Sequence, residues 1–310
     1  MVNRKIIQGY IAGSLAAIIW GIQPIIIRML ISNEVNTFNI AFVKVLGSAC
    51  VLGIATIISR KWIQTPQEKP KINIYFILAI LALFGNIFTY HWGLNYTFAS
   101  DVMIIETLSP LFVVLFGVLL LRKRFQDVIK NKKLSTLFLL IAFGSIGSTL
   151  LIFDPNQTAI SSYSRNVGDI IVTIASITFA LYLLMSSEVR RLSKTLPHEL
   201  MFYFFLGTSI LLLPFIDIGN FGTWTQHQWL LVSLISIVFT ALPLLLWNIA
   251  SGIIEAAPLS ILFNIAAIVT IITEMLFLDL RFSWGVVLAT VIIIFTAYQA
   301  KRIIDESRDN

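Results

Sequence analysis

The sequence has little charge and few residues that could bind a metal. Charged residues make up 12% of the 310 positions, whereas a soluble domain carries about 25%. Hydrophobic residues make up 57%, with a mean hydropathy of +0.88. A water-soluble globular protein is therefore excluded, because its surface would need far more polar side chains. The single cysteine, Cys50, excludes a disulfide framework and a cysteine-based metal site, and we expect neither a metal nor a cofactor.

Ten apolar runs are long enough to cross a bilayer, which takes about 20 helical residues. They cover residues 8–29, 38–58, 73–95, 101–121, 134–152, 167–187, 199–216, 229–248, 258–277 and 282–300. The first run follows Arg4 and Lys5 but is too long for a signal peptide, and no small-residue cleavage pattern ends it. The sequence therefore predicts an all-α polytopic membrane protein with ten transmembrane helices.

The basic residues between the runs indicate the orientation. If the N-terminus is cytoplasmic, 18 of the 22 lysines and arginines fall on the inner side, as the positive-inside rule requires. The sequence thus predicts a multi-pass protein of the cytoplasmic (inner) membrane with both termini in the cytoplasm. Topology accounts for the net charge of +6, so we do not expect nucleic acid as a partner.

The two halves of the chain show weak internal similarity. Residues 121–125, LRKRF, match residues 278–282, LDLRF, and the same offset pairs Tyr90 with Trp247 and His91 with Asn248. Each half holds five predicted spans, an odd number, so the second half must enter the membrane inverted. Inverted repeats are typical of transporters. We predict a first five-helix repeat over residues 1–153 and a second, inverted repeat over residues 154–310.

Several short motifs fall inside or beside the predicted spans. They are Trp20-Gly21 with Pro24, Lys44, Leu94-Asn95-Tyr96-Thr97 with Ala99-Ser100, Ser109-Pro110, Phe179-Ala180 with Tyr182, and Trp247-Asn248 through Ala256. In these motifs the sequence resembles the drug/metabolite transporter superfamily, specifically the ten-helix EamA-type carriers. The resemblance implies movement of small metabolites, amino acids or drugs across the cytoplasmic membrane, commonly outward. The Gly-Glu pair usual after the fourth and ninth helices is replaced by Arg122-Lys123 and Asp279-Leu280, so no role of that glutamate carries over.

Lys44 and Glu106 are the charged residues that lie deepest in the predicted spans. Each lies five or six residues from the outer end of its span, which corresponds to a depth of about 8–9 Å. A pair would relieve much of the cost of burying either charge. Three readings stay open: a fixed strut between helices, a gate or substrate contact that exchanges partners, and snorkelling of Lys44 to the interface.

Other polar and aromatic residues are candidates for the wall of a substrate cavity. Asn86 and Tyr90 share one helical face, and His91 is either a proton-coupling group or an interhelical hydrogen-bonding group. Pro24, Pro110 and Pro243 predict bends that release backbone carbonyls; packing without mobility is the alternative. The predicted substrate-binding residues are Trp20, Gln23, Asn86, Tyr90, His91, Glu106, Pro110, Phe179, Tyr182, Trp247 and Asn264, the last favoured over Glu274 because it lies deeper.

The function predicted from these features is secondary transport by alternating access. The expected cargo is an amino acid or an amphipathic amine or drug, moved outward; import of a metabolite is the first alternative, and a receptor or scaffold the second. An intramembrane enzyme is not expected, because the sequence has no H-E-x-x-H, no G-x-S-x-G and no paired aspartates inside the spans. The expected partners are a small-molecule substrate and the lipid bilayer; a coupling proton and a monomeric or homodimeric state stay open.

Overall fold

The fold is seen in a computed structural model that describes residues 4–62, 70–120, 139, 162–193, 195–251, 253, 256–278, and nine positions between 284 and 299. The predicted spans 134–152 and 282–300 lie wholly or largely outside these residues. The described chain is helical: α1 Arg4–Ser32, α2 Thr37–Trp62, α3 Ile74–Gly93, α4 Ala99–Glu106, α5 Ser109–Leu120, α6 Ser162–Leu192, α7 Pro197–Leu212, α8 Ile218–Phe221, α9 Gln226–Ser236, α10 Leu242–Ser251 and α11 Ala256–Phe277.

Six of the described segments are long and apolar enough to cross a membrane. They are Arg4–Ser32, Thr37–Arg60, Ile74–Gly93, Tyr163–Leu192, Pro197–Phe215 and Gln226–Ala250. Large apolar side chains point outward from them, among them Ile57, which is 61% exposed. In lipid such side chains are in their preferred solvent, and a helix satisfies its own backbone hydrogen bonds there. The prediction of an all-α polytopic membrane protein is confirmed.

Polar residues at the ends of the helices satisfy backbone amides that have no partner within the helix. The Asn73 side chain accepts a hydrogen bond from the Phe76 amide at the start of α3. At the start of α9, Thr225 and Gln228 form a reciprocal capping box. Such caps define where a helix begins, because they replace the partners that the first turn lacks.

The bundle has two chemically different ends. Helices α2 and α6 end, and α7 begins, at what we call the basic end, where Arg60 pairs with Glu199 at 2.5 Å. Helices α4, α6 and α9 begin at the other end, which we call the carboxylate end because Asp101 and Asp169 lie there. At the carboxylate end Asn39 also exchanges two hydrogen bonds with the backbone of Asp217, at 2.7 and 2.8 Å.

Two of the predicted spans are interrupted next to a proline. The fourth span is two helices, α4 and α5, separated at Thr107 and Leu108. Pro110 has no amide hydrogen for the Glu106 carbonyl four residues earlier, and the Ser109 hydroxyl donates to that carbonyl at 2.5 Å. The predicted span 101–121, with its predicted bend at Pro110, is thus two helices. The proline removes the helical hydrogen bond, and the Ser109 hydroxyl replaces it.

The second interruption precedes Pro243. Between α9 and α10 the chain forms one turn of π-helix, Ile237–Ala241. A π-turn inside an α-helix is rare and releases carbonyls from the regular ladder. The structure thus shows a change of helix type before this proline rather than an end of the helix. Helix α1, by contrast, continues through Pro24.

Candidate functional site

A cavity of about 360 Å³ lies among the helices of both halves of the chain. Its volume is within the usual range for sites that bind small molecules. Helices α1, α2, α3 and α4 contribute from the first half, and α6, α7, α10, α11 and the π-turn from the second. The lining residues are Trp20, Gln23, Lys44, Leu83, Asn86, Ile87, Tyr90, Met103, Glu106, Phe179, Tyr182, Leu183, Ser186, Arg190, Met201, Phe205, Thr240, Leu244, Trp247, Asn248 and Phe263.

Aromatic rings form much of the cavity wall. Trp20 of α1, Trp247 of α10 and Phe263 of α11 form a cluster with centroids 5.4–6.0 Å apart, in tilted and edge-to-face arrangements. Phe179 and Tyr182 of α6 stack at 6.0 Å. The ring faces of such walls attract flat or cationic groups as well as apolar ones.

Lys44 is held at the cavity by neutral groups. Its ammonium lies 3.2 Å from His91 Nε2 and 5.3 Å from the centre of the Tyr90 ring. His91 is completely buried behind the lysine and is not among the lining residues. The structure thus places His91 beside the site rather than in its wall.

Glu106 is held on its own side of the cavity, by Asn86. The Asn86 amide donates to Glu106 Oε1 at 3.1 Å and also to the Ala175 carbonyl at 3.1 Å, which fixes the amide between α4 and α6. Within the described residues the ion pairs join Arg60 to Glu199, Arg165 to Asp101, and Arg191 to Glu188. Lys44 and Glu106 therefore face one cavity without forming a direct ion pair there.

Gln23 connects α1 to the π-turn. Its side-chain amide donates to the Phe239 carbonyl at 2.7 Å and to the Thr240 hydroxyl at 2.6 Å. In a regular helix the Phe239 carbonyl would accept from residue 243, but that residue is proline and has no amide hydrogen. Gln23 thus supplies the donor that Pro243 lacks, across the boundary between the two halves.

The cavity extends to the basic end of the bundle. Arg190, near the end of α6, is solvent-exposed and is also a lining residue. Ser186 and Tyr182, about one and two turns earlier, line the cavity as well. A polar molecule that enters at the basic end would therefore meet Arg190 first and the aromatic wall next.

A dense polar cluster closes the carboxylate end. Arg165 Nε and Nη2 donate to the two carboxylate oxygens of Asp101 at 2.7 and 3.0 Å, and the guanidinium lies 5.1 Å from the centre of the Phe98 ring. The Thr97 hydroxyl lies 3.0 Å from Asp101 Oδ2 and 2.6 Å from Asp169 Oδ1. None of these residues lines the cavity.

Two further side chains, the buried Glu274 and the half-buried Arg28, stabilise the same end. The Glu274 carboxylate of α11 accepts hydrogen bonds from the backbone amides of Ala99 and Ser100 at 2.8 and 2.7 Å. A carboxylate at the start of α4 satisfies free amides and is attracted by the helix dipole. Arg28 of α1 donates to the Leu94 carbonyl in the turn before α4. The first turn of α4 is thus fixed by side chains from two other helices.

The structure brings most of the predicted site residues together. Trp20, Gln23, Lys44, Asn86, Tyr90, Glu106, Phe179, Tyr182 and Trp247 all line the one cavity. His91 lies behind Lys44, and the side chains of Pro110 and Asn264 lie outside what the structure describes. That the lining residues bind a substrate stays a prediction.

Sequence reasoning missed the polar cluster at the carboxylate end. Asp101 and Asp169 meet at the Thr97 hydroxyl, although no pair of aspartates inside the spans is expected from the sequence. Arg165, two residues before the predicted span 167–187, is only 2% exposed and forms an ion pair with Asp101. The sequence did contain a signal for this cluster. Asp101, Arg165 and Asp169 lie at or near the starts of the predicted spans 101–121 and 167–187, and charged residues so close to a membrane need partners.

Comparisons with known proteins agree with this architecture. A curated relative from Archaeoglobus fulgidus, described as an uncharacterized transporter, is 25% identical over 212 residues, which is 67% of each chain. The uncharacterized transporter YyaM of Bacillus subtilis is 22% identical over 73% of this chain and 72% of its own. A solved crystal structure superposes with a TM-score of 0.62 at 17% identity, over 96% of this chain and 98% of the other, which shows the fold alone.

A family model matches the chain in two successive stretches, residues 7–153 and 166–299. The two matched stretches leave only the termini and a short central segment uncovered. The chain belongs to the EamA-like transporter family.

Proposed function

We propose that this membrane transporter is a secondary carrier that exports a small amphipathic metabolite, an amino acid or an amphipathic amine, by alternating access. The observation that carries the proposal is the cavity formed jointly by both halves of the chain. Sites at the interface of two repeats are a recurrent feature of secondary transporters.

The charges in the cavity support the choice of cargo. Glu106 is a carboxylate that would face an amine, and Lys44 and Arg190 are cations that would face a carboxylate. The two deepest charges are held by neutral neighbours, His91 and Asn86, so each has capacity left for a ligand. Trp20, Phe179 and Trp247 would contact the apolar part of the molecule.

The contrast between the two ends supports the direction. The cavity reaches the exposed Arg190 at the basic end, which the positive-inside rule assigns to the cytoplasm. At the other end, Asp101, Arg165 and Asp169 are at most 2% exposed. This conformation is therefore suited to loading from the cytoplasm, and the gradient determines the net direction of flow.

Flux into proteoliposomes that contain the purified chain tests this proposal. A panel of amino acids, amphipathic amines and dyes is offered, and at least one class should show saturable flux and counterflow. Glu106→Gln should lower the flux of amine-bearing substrates about 10- to 100-fold, because a hydrogen bond to a charged group is worth about 1.5–3 kcal/mol. Glu34→Gln, at an exposed carboxylate outside the cavity, is the matched control and should transport normally.

Two results would overturn the proposal. One is the absence of flux for every compound in the panel while the protein remains folded. The other is equal transport by the Glu106→Gln and Glu34→Gln variants, which would show that the cavity carboxylate does not contact the cargo.

A further inference from the structure

The buried cluster at the carboxylate end has one hydrogen-bond donor too few if both of its aspartates are ionised. Asp101 and Asp169 both contact the Thr97 hydroxyl, at 3.0 and 2.6 Å. A hydroxyl group carries a single hydrogen and can donate to only one of them. If both carboxyl groups were ionised, one of the two contacts would bring lone pairs together without a hydrogen between them.

Asp101 has all the donors that an ionised carboxylate needs. Both of its oxygens accept hydrogen bonds from the Arg165 guanidinium, at 2.7 and 3.0 Å. A bidentate arginine–carboxylate pair is among the strongest hydrogen-bonded arrangements in proteins. The negative charge of Asp101 is therefore matched by a positive charge in direct contact.

Asp169 is in the opposite situation. It is 2% exposed. Among the residues that the structure describes, its Oδ1 has only the Thr97 hydroxyl as a partner, and its buried Oδ2 has no hydrogen-bond partner. An ionised carboxylate that is buried with an unpartnered oxygen is very costly, and such a group takes up a proton instead. Gly168 permits this close approach of α6 to Thr97, since a Cβ there would lie 2.9 Å from the Thr97 amide nitrogen.

The other charged groups around Asp169 have partners of their own. On α4, Asp101 pairs with Arg165 of α6, and Glu106 accepts from Asn86. On α3, His91 contacts Lys44; helix α5 carries no charged residue. Farther along the cluster, Glu274 of α11 accepts two backbone amides, and Arg28 of α1 donates to Leu94.

We propose that Asp169 is a proton-binding site: its carboxyl group carries one proton, on Oδ1, when the carboxylate end is closed. The proton is donated to Thr97 Oγ1, and Thr97 in turn donates its own hydrogen to Asp101 Oδ2. Both observed contacts then become hydrogen bonds, and 2.6 Å is an ordinary length for O–H···O. Oδ2 is left as a neutral carbonyl oxygen, which is far cheaper to bury than a charged one.

Release of this proton would change the closed end directly. An ionised Asp169 and the ionised Asp101 would share one hydroxyl hydrogen and one arginine, so α6 and α4 would repel each other there. The site therefore couples proton binding to the contact between Thr97, on the turn before α4, and the start of α6. The inference concerns the protonation of the resting protein and holds whatever the cargo is.

Infrared spectroscopy of the purified, reconstituted protein at neutral pH tests the proposal. Protonated carboxyl groups have a carbonyl-stretch band that carboxylates lack, and incorporation of isotope-labelled aspartate identifies a band from aspartic acid. The wild-type protein should show a labelled band, and Asp169→Asn should remove the intensity of one carboxyl group. Glu34→Gln, at an exposed carboxylate, should remove none.

Two further variants keep the result interpretable. Asp169→Glu should move the band out of the aspartate-labelled set, which provides the assignment if the asparagine variant does not fold. Thr97→Val removes the hydroxyl acceptor and should shift the frequency of the band, whereas Thr97→Ser should leave it in place. A wild-type spectrum without protonated aspartic acid, or an Asp169→Asn spectrum that retains the full band, would overturn the proposal.

Discussion

The cavity and the carboxylate end both bury charged side chains, but they satisfy them differently. In the cavity, Lys44 and Glu106 are each held by a neutral partner, His91 or Asn86. At the carboxylate end, Arg165 and Asp101 hold each other through two hydrogen bonds. Charges that meet each other have little left to offer a ligand, whereas charges held by neutral groups can still take one. The difference separates a structural ion pair from a candidate binding site.

The largest effect is expected from breaking the Arg165–Asp101 pair. Arg165→Met leaves the Asp101 carboxylate buried without its cation, and such an uncompensated charge costs about 3–5 kcal/mol. The free energy of unfolding in detergent should fall by that amount. The double variant Arg165→Met/Asp101→Asn removes both charges and should recover most of the loss. A loss below about 1 kcal/mol, the value of an exposed pair, would show that the Arg165–Asp101 pair contributes little to stability.

Exchange of the cavity charges comes next. Lys44→Glu and Glu106→Lys should each lower transport at least about 100-fold, or about 2.8 kcal/mol, because each new charge meets neighbours that fit the old one. A direct ion pair, one of the three alternatives that the sequence leaves open, predicts that the double exchange restores part of the activity. The geometry predicts no restoration, since His91 and Asn86 remain in place. Rescue in the flux assay would show that Lys44 and Glu106 pair directly, as Arg165 and Asp101 do.

Loss of the hydrogen bond from Gln23 to the Phe239 carbonyl should have an intermediate effect on stability. Gln23→Leu leaves the Phe239 carbonyl without its donor, and an unsatisfied buried group costs about 1–3 kcal/mol. Adding Pro243→Ala returns a backbone amide to the position that the regular helix would use. The double variant should therefore unfold at a higher temperature than Gln23→Leu alone. A double variant no more stable than the single one would show that Gln23 does not replace the donor that Pro243 lacks.

The smallest effect is expected from an ion pair at the basic end. Arg191 lies 2.8 Å from Glu188 on the same helix, but its side chain is 62% exposed. The Glu188 side chain is only 4% exposed, but the exposed arginine keeps the pair at the water boundary, where an ion pair contributes about 1 kcal/mol or less. Arg191→Gln should leave the thermal midpoint nearly unchanged. A loss comparable to that of Arg165→Met would mean that burial does not distinguish the two ends.

Local sequence patterns predicted part of the cavity wall, but not residues such as Arg190, Met201 and Phe263. Trp20, Asn86 and Trp247 lie inside apolar runs, and a polar or amphipathic side chain there usually turns toward the protein interior. The spacing of Asn86 and Tyr90, one helical turn apart, correctly placed both on the same face. The fold class followed from the lengths of the runs, because a bilayer demands about the same helix length everywhere.

The carboxylate end depended on contacts that no local pattern contains. Arg165 and Asp101 are 64 positions apart and meet only because the starts of α6 and α4 are neighbours. Depth along a span left a pair between Lys44 and Glu106 as one of three alternatives, because depth does not give the angular position of a side chain. In the structure each charge lies beside a neutral group instead. The π-turn and its bond to Gln23 could not be predicted either. Pro243 predicts that a helical hydrogen bond is lost, but it does not show how the helix adjusts or which side chain replaces the donor.

The bond from Gln23 to the Phe239 carbonyl has a consequence for sequence variation among relatives. The glutamine in one repeat is needed because a proline in the other repeat cannot donate. A relative with an ordinary amide at position 243 has no vacant carbonyl at position 239, so position 23 is free to become apolar. Positions 23 and 243 should therefore vary together in an alignment of the family, linking two sites that lie in separate copies of the repeat.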